Sequence, residues 1–268
     1  MPTRRETFGV GAAAALALLA RGAYAAGDDP WPALAAQIFD GKPIGPGADV
    51  LAIEAPYRAM DAALVPITLT IAPAPAGARQ VRRVTLVVDA NPSPLAAELE
   101  LGPDSGIDRI ATRVRVNDYT NIHAVAEMTD AALLAVSRFV KAAGGCSAPA
   151  LTETADAIPL GTIRWRLLPQ PPDAPAGTRE AQLMIRHPNY SGMQMNQLTR
   201  LYIPADFIQT LRIWQGDRPL LAVAGGISLS ENPEFRFRFR PQGDAPFRAA
   251  AQDSKGTRFH AEFPAAAA

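Results

Sequence analysis

The sequence has little of what functional sites are commonly built from. Its 268 residues include one cysteine and three histidines, and aromatic residues make up only 7% of the chain. The 26 basic and 26 acidic residues balance, so no net positive field is available to hold a nucleic-acid backbone. We therefore expect no nucleic-acid partner.

Motifs for catalysis and cofactor binding are also missing. No nucleophile motif, phosphate-binding loop or dinucleotide fingerprint occurs. The histidines His123, His187 and His260 fall on different predicted elements, and no spacing of His, Asp or Glu matches a zinc or iron site. We therefore expect no metal, no cofactor and no catalysis by the chain itself.

Long apolar runs are absent after the first 25 residues. Residues 1–25 contain the pair Arg4 and Arg5, an alanine-rich apolar stretch, and a small-residue cleavage pattern that ends at Ala25. The stretch is too short for a membrane anchor, and the combination resembles a twin-arginine export signal. It predicts a signal that is removed, and a mature protein that is soluble in the periplasm.

The mature chain is dominated by strand patterns. After a short helix predicted at 31–40, apolar and polar residues alternate, and runs of Pro, Gly, Asn and Asp separate the segments. Short strands without alternating helices predict an all-β protein of two antiparallel immunoglobulin-like β-sandwiches. The predicted strands are 64–71, 84–89, 97–101, 109–116, 122–128, 162–168, 179–187, 198–204, 210–215, 220–224, 235–239, 246–252 and 258–263.

One strand carries a charged stripe. Phe235, Phe237 and Phe239 alternate with three arginines at 236, 238 and 240. The arginines form either an anion-binding stripe or, as is commoner, a solvated strand face.

The two predicted sandwiches are joined by a segment of different composition. Residues 141–161 have few large apolar side chains and many Gly, Ala, Pro and Thr residues, as flexible linkers do. The predicted organisation is a signal at 1–25, a first sandwich at 26–140, a linker at 141–161, and a second sandwich at 162–268.

The single cysteine, Cys146, lies in this linker. A lone thiol in an exported protein cannot form an internal disulfide, so it is buried, paired between chains, or chemically used. Gly144 and Gly145 before it and Ser147 after it offer no bulk to bury it, and they predict a slim, flexible, exposed segment. The residues alone leave a functional thiol and an incidental one equally open.

Several segments resemble a known carrier. Residues 139–147 (FVKAAGGCS) resemble the cysteine-bearing arm of SoxY, a subunit of the sulfur-oxidation carrier SoxYZ, and residues 84–94 resemble the SoxY sandwich. Three further segments, 187–188, 203–208 and 230–235, resemble SoxZ. The resemblance covers nearly the whole mature chain, and it is that of the fused SoxYZ-like carriers that accompany quinoprotein dehydrogenases in some bacteria.

This resemblance implies a carrier that holds a sulfur species, or another thiol-reactive group, covalently and catalyses nothing itself. It makes Cys146 the substrate-attachment residue, and Gly144 and Gly145 the source of the arm's flexibility. In the family, a partner cytochrome joins thiosulfate oxidatively to the arm cysteine, and another partner hydrolyses the terminal sulfone. The implied partners are periplasmic redox proteins of the cytochrome c or quinoprotein dehydrogenase type, and the SoxY-like and SoxZ-like domains are expected to pair within the chain.

The arm also departs from the family pattern. The family arm ends in Gly-Gly-Cys-Gly-Gly at a free C-terminus, whereas here Ser147 and Ala148 follow the cysteine and the chain continues into a second domain. An alternative function is therefore a non-covalent accessory module of a quinoprotein alcohol dehydrogenase, in which Cys146 is incidental.

Overall fold

The structure, a computed structural model, describes residues 29–75, 77–149, 158–170 and 174–265. The predicted export signal at 1–25 lies outside these residues. None of the helices in the described ranges has the length and apolarity needed to cross a membrane. The elements in chain order are α1 (Trp31–Ile38), β1 (Ile44–Pro46), β2 (Leu51–Glu54), β3 (Val65–Ile71), β4 (Val81–Val88), β5 (Leu95–Leu101), β6 (Arg109–Val114), β7 (Thr120–Met128), β8 (Leu133–Val140), β9 (Ile163–Leu168), β10 (Arg179–Ile185), β11 (Ile208–Gln215), β12 (Arg218–Gly225), β13 (Glu234–Phe239), β14 (Phe247–Asp253) and β15 (Arg258–Phe263).

The strands form two sheets that pack on a common core. The larger sheet has the order β1-β8-β7-β4-β5-β12-β11-β14-β15, and the smaller has the order β2-β3-β6-β13-β10-β9. Among the described ladders only that of β1 with β8 is parallel. The Trp165 ring on β9 contacts the Phe247 and Phe263 rings of the opposite sheet. The predicted all-β class is therefore confirmed.

The two halves of the chain are joined edge to edge in both sheets. In the larger sheet β5 pairs with β12, from Leu101 opposite Leu221 to Ala97 opposite Gly225, and in the smaller sheet β6 pairs with β13. Buried apolar residues from both halves form one cluster. The predicted pairing within one chain is confirmed, and it takes the form of shared sheets with a shared core.

β13 shows why its sequence specifies a strand. Its three phenylalanines are buried in the core, which is what an alternating pattern predicts for a half-buried strand. On the opposite face Arg236 lies 2.6 Å from Glu180, and Arg238 lies 2.6 Å from Asp108. Pairing with carboxylates supports the solvated face over an anion-binding stripe.

Some elements differ from the sequence prediction. Residues 198–204, predicted as a strand, lie in a loop whose Leu198 and Leu201 side chains are exposed, so the apolar alternation there does not reflect a core. β1 and β2 are too short to show a period, and β8 is buried only at its ends, Leu133 and Val140, without alternation between them, so the pattern did not predict these strands.

The predicted N-terminal helix is confirmed as α1. Its Trp31 ring stacks on His123 of β7, with 3.7 Å between the ring centroids. His123 Nδ1 also lies 3.0 Å from Asp89 Oδ1. The helix therefore packs on the larger sheet through one aromatic side chain.

The shared sheets predict that the halves stay together when the chain is cut. A protease site introduced between residues 150 and 157 should give two fragments that co-elute at the mass of the uncut protein on size-exclusion chromatography. The β5–β12 and β6–β13 ladders and the common core hold them. Elution of the fragments at half that mass would contradict this pairing.

Candidate functional site

Cys146 follows β8 and lies where the two halves meet. The thiol side chain has no exposed surface. The expectation of an exposed thiol is therefore wrong for this conformation. The residues adjacent in sequence are small, as predicted, but backbone and side chains from distant segments enclose the cysteine instead.

The first half holds the arm through backbone hydrogen bonds. Gly144 N–H donates to Asn117 O and Gly145 N–H donates to Val116 O, both at 2.9 Å, just past the end of β6. A Cβ atom on Gly145 would lie 2.0 Å from Ala62 O, so only glycine allows this close approach. We call residues 144–147 in this position the docked arm.

The second half contacts the docked arm through Ser191 and supports it through Arg115. Arg115, directly after β6 in the first half, donates from Nη1 to Gly145 O at 3.1 Å and from Nη2 to Asn189 O at 3.4 Å. The Ser191 hydroxyl donates to Cys146 O. Because Asn189 and Ser191 belong to the second half, the arm can dock only where the halves are joined.

Arg115 is the functional residue that the sequence pattern placed incorrectly. The alternation of the predicted strand 109–116 puts it on the solvent face, but β6 ends at Val114 and the Arg115 side chain is fully buried. Burial lowers the pKa of Arg115, and the charges of Glu231, Cys146 and Asp61 oppose this. An arginine keeps its charge even then, so a cation lies beside the thiol.

Burial also controls the chemistry of the thiol. It raises the pKa of Cys146 from its ordinary value to about 11, and the Arg115 charge only partly offsets the effect. At neutral pH about one docked thiol in ten thousand is then a thiolate, the form that reacts. The docked thiol is therefore a poor nucleophile at neutral pH.

A second buried cluster lies beside this site. His187 Nε2 lies 3.7 Å from Asp206 Oδ1 and 3.8 Å from Asp253 Oδ2, and all three residues are buried. The sequence gives no sign of this group because its members come from three segments far apart along the chain. No spacing rule could have found it, since only the fold brings these residues together.

The donor set of this cluster disfavours a metal ion. His187 Nδ1 accepts a hydrogen bond from Asn189 N–H at 3.1 Å, so the proton of the neutral ring is on Nε2. A neutral histidine that ligates through Nε2 carries its proton on Nδ1 instead. Lys255 Nζ, 2.6 Å from Asp206 Oδ2, already supplies a cation there.

Two family models match the chain. Residues 35–146 match the model described as sulfur oxidation protein SoxY, and residues 169–264 match that described as sulphur oxidation protein SoxZ. Together they span most of the chain, and the SoxY match ends at Cys146. No curated protein matches the sequence.

Solved structures also resemble parts of the chain. The sulfur carrier protein SoxY from Chlorobium limicola f thiosulfatophilum is 23% identical, with a TM-score of 0.36, and the match covers 42% of this chain and 91% of that one. Two variants of superoxide reductase (neelaredoxin) from Ignicoccus hospitalis are each 14% identical, with TM-scores of 0.32 and 0.31. Their matches cover 35% and 41% of this chain, and 81% and 90% of theirs.

A matched pair of glycine substitutions should show how the arm docks. In Gly145→Ala the new methyl group meets the backbone oxygens of Ala62 and Val116, so we expect docking to weaken by about 3 kcal/mol, roughly a hundredfold. Gly144 has a φ of +79° with open space around it, so Gly144→Ala should cost only about 1 kcal/mol, roughly fivefold. The rate at which 4,4′-dithiodipyridine modifies Cys146 measures how far each substitution weakens docking. Equal rates in the two variants would contradict the docking geometry.

The raised thiol pKa predicts a loss of stability in alkali. Between pH 9 and 11 the unfolded state gives up the thiol proton while the docked state retains it. The free energy of unfolding should therefore fall, relative to a Cys146→Ser variant, by about 1.4 kcal/mol per pH unit across this window. Urea unfolding of both proteins at pH 8 to 11 measures the difference, and parallel curves would show that Cys146 is not enclosed.

Proposed function

Because the chain belongs to the SoxY and SoxZ families, as a fusion of the two in that order, we propose that it carries a sulfur intermediate covalently on Cys146 in the periplasm. Partner redox proteins load and unload this group, and the chain catalyses neither step. The observation that carries the proposal is the position of the single cysteine at the end of the SoxY match, directly after Gly144 and Gly145.

The loading step joins two sulfur atoms. The Cys146 thiol and thiosulfate form an S–S bond, the thiol proton passes to solvent, and two electrons pass to an oxidising partner of the cytochrome c type. Hydrolysis of the resulting S-thiosulfonate by a second partner adds water, releases sulfate, and leaves one sulfur atom on Cys146 as a persulfide. The thiolate is the nucleophile, so loading needs a state in which the thiol ionises readily.

The docked arm is the resting state of this carrier. A few hydrogen bonds, each with a net contribution of about 1 kcal/mol, hold residues 144–147, so the arm can leave without unfolding the sheets. When the thiol leaves its enclosed position, its pKa returns to the ordinary value near ~8.5 and the thiolate fraction rises more than about a hundredfold. Opening therefore both exposes and activates Cys146.

Docking also protects the bare thiol. Thiols in oxidising compartments are exposed to disulfide exchange and to stepwise oxidation. The enclosed, un-ionised thiol of Cys146 resists both. Since the side chain is already fully enclosed, a group added to its sulfur has to displace packed neighbours, and a loaded arm is expected to remain undocked.

The burial of Cys146 favours a second candidate function. Burial is the usual environment of a free cysteine that has only a structural role. The chain would then be a non-covalent accessory module of a quinoprotein alcohol dehydrogenase, and Cys146 would be incidental to its action.

Mass spectrometry of the protein isolated from cells separates the two candidates. In cells supplied with thiosulfate, the carrier should bear a thiosulfonate or persulfide group on Cys146. The matched Cys146→Ser variant should fold and bind its partners but abolish thiosulfate-dependent oxygen uptake. An unmodified thiol under these conditions, together with unimpaired dehydrogenase-dependent growth of the variant, would refute the carrier and support the accessory module.

A further inference from the structure

A buried chain of hydrogen bonds connects His187 with the docked arm. Asn189 N–H donates to His187 Nδ1 at 3.1 Å, and Asn189 O accepts from Arg115 Nη2 at 3.4 Å. Arg115 Nη1 in turn donates to Gly145 O at 3.1 Å. His187, Asn189 and Arg115 have no exposed surface, so a change at the imidazole ring is passed to the arm through packed neighbours.

Asn189 is placed to transmit such a change. Its side chain donates to Leu229 O at 3.1 Å and accepts from Ile208 N–H at 3.0 Å, so it anchors the segment that carries Ser191. Its φ of +48° is an unusual conformation for a residue other than glycine. The hydrogen bond to His187 is one of the contacts that hold this conformation.

Only the neutral form of His187 fits its surroundings. The Asn189 N–H occupies the lone pair of Nδ1, so the ring proton is on Nε2. Nε2 faces Asp206 and Asp253 at distances beyond a hydrogen bond, and it has no hydrogen-bond partner among the described residues. A second proton, on Nδ1, would set one N–H against another and remove the Asn189 contact.

We propose that His187 is an acid-sensitive latch of the docked arm. Proton uptake at Nδ1 displaces Asn189 N–H, the Asn189 segment shifts, and the contacts of Arg115 and Ser191 with the arm are lost, so that Cys146 becomes exposed. The use of the latch in sulfur transfer rests on the proposed function. The release itself is a property of the fold, and it can be measured without any sulfur substrate.

The charged groups that face the His187 ring set the pH range over which it takes up a proton. They are Asp206 on the segment before β11, Asp253 at the end of β14, and Lys255 in the turn between β14 and β15. Burial, aided by Lys255, favours the neutral ring and outweighs the two carboxylates and the Asn189 side chain, so the pKa of His187 lies below its ordinary value of 6.5.

The difference between the pKa of the docked ring and that of the released ring determines how arm release changes with pH. A released ring has its ordinary pKa, so below pH 6.5 the released state binds more protons than the docked state. Release should therefore increase up to about tenfold for each pH unit, until the pKa of the docked ring is reached. Near pH 7.5 no dependence on His187 remains.

Thiol modification as a function of pH tests the latch. The rate at which 4,4′-dithiodipyridine modifies Cys146 is divided by the rate for the urea-unfolded protein at the same pH, which removes the pH dependence of the thiolate itself. We expect this ratio to rise, by up to about tenfold, between pH 7.5 and 5.5. A ratio that is flat or falls with acid overturns the proposal.

Two variants provide matched controls. In His187→Asn the side-chain oxygen can still accept from the N–H two residues later, as in an Asx-turn, but it cannot be protonated, so the ratio should be flat. His260 on β15 is exposed, and His260→Asn should keep the rise of the native protein. A rise that persists in His187→Asn but disappears in His123→Asn would assign the effect to the other buried histidine and overturn the proposal.

Two further measurements do not depend on whether these variants fold. Imidazole ¹⁵N NMR of the native protein should show His187 with its proton on Nε2 at pH 7.5, and the proton on Nδ1 would overturn the latch. Addition of EDTA should leave the pH profile unchanged, and a shift would indicate a metal ion at His187, Asp206 and Asp253 instead. The two proposals can fail separately. If the modification ratio rises in acid but Cys146 carries no sulfur adduct in cells, only the carrier is refuted. If Cys146 carries an adduct but the ratio does not change with pH, only the latch is refuted.

Discussion

Edge-to-edge pairing of the two halves is the interaction on which the rest of the structure depends. Through the β5–β12 and β6–β13 ladders, two sandwiches with separate sequence patterns become one pair of sheets around one core. The same pairing brings Ser191 of the second half against the arm, and Asn189 against Arg115, which holds the arm. Without it the arm would lack the hydrogen bond from Ser191, and Arg115 would lack its contact with Asn189.

The join between the halves contains an unusual combination for a protein interior. Hydrogen bonds connect a fully buried guanidinium, a neutral histidine and the backbone of the docked arm, which carries an un-ionised buried thiol. Hydrogen bonds offset the free-energy cost of burying these polar groups only while their partners are in place, because an unpaired polar group inside a protein is destabilising.

For a carrier, the tethered arm has a physical advantage over a free one. A cysteine that is always exposed is open to oxidation between transfers, whereas the thiol of Cys146 is enclosed and has a pKa of about 11. In the proposed carrier, movement of the docked arm would expose this thiol and restore its ordinary pKa. The continuation of the chain past Cys146 keeps the arm close to the place where it docks, because a short tether gives a high effective concentration.

The sequence by itself determined the all-β class, most strand positions, the order of the two family regions, and Cys146 as the residue to examine, because alternation and motif are properties of neighbouring residues. Tertiary structure alone decided that this thiol is buried, that Arg115 faces inward, and that His187 meets Asp206 and Asp253. These features depend on atoms from segments far apart in sequence. The small neighbours of Cys146 predicted that it is exposed. Burial depends on the segments that the fold packs around a residue, and these are distant in sequence from Cys146.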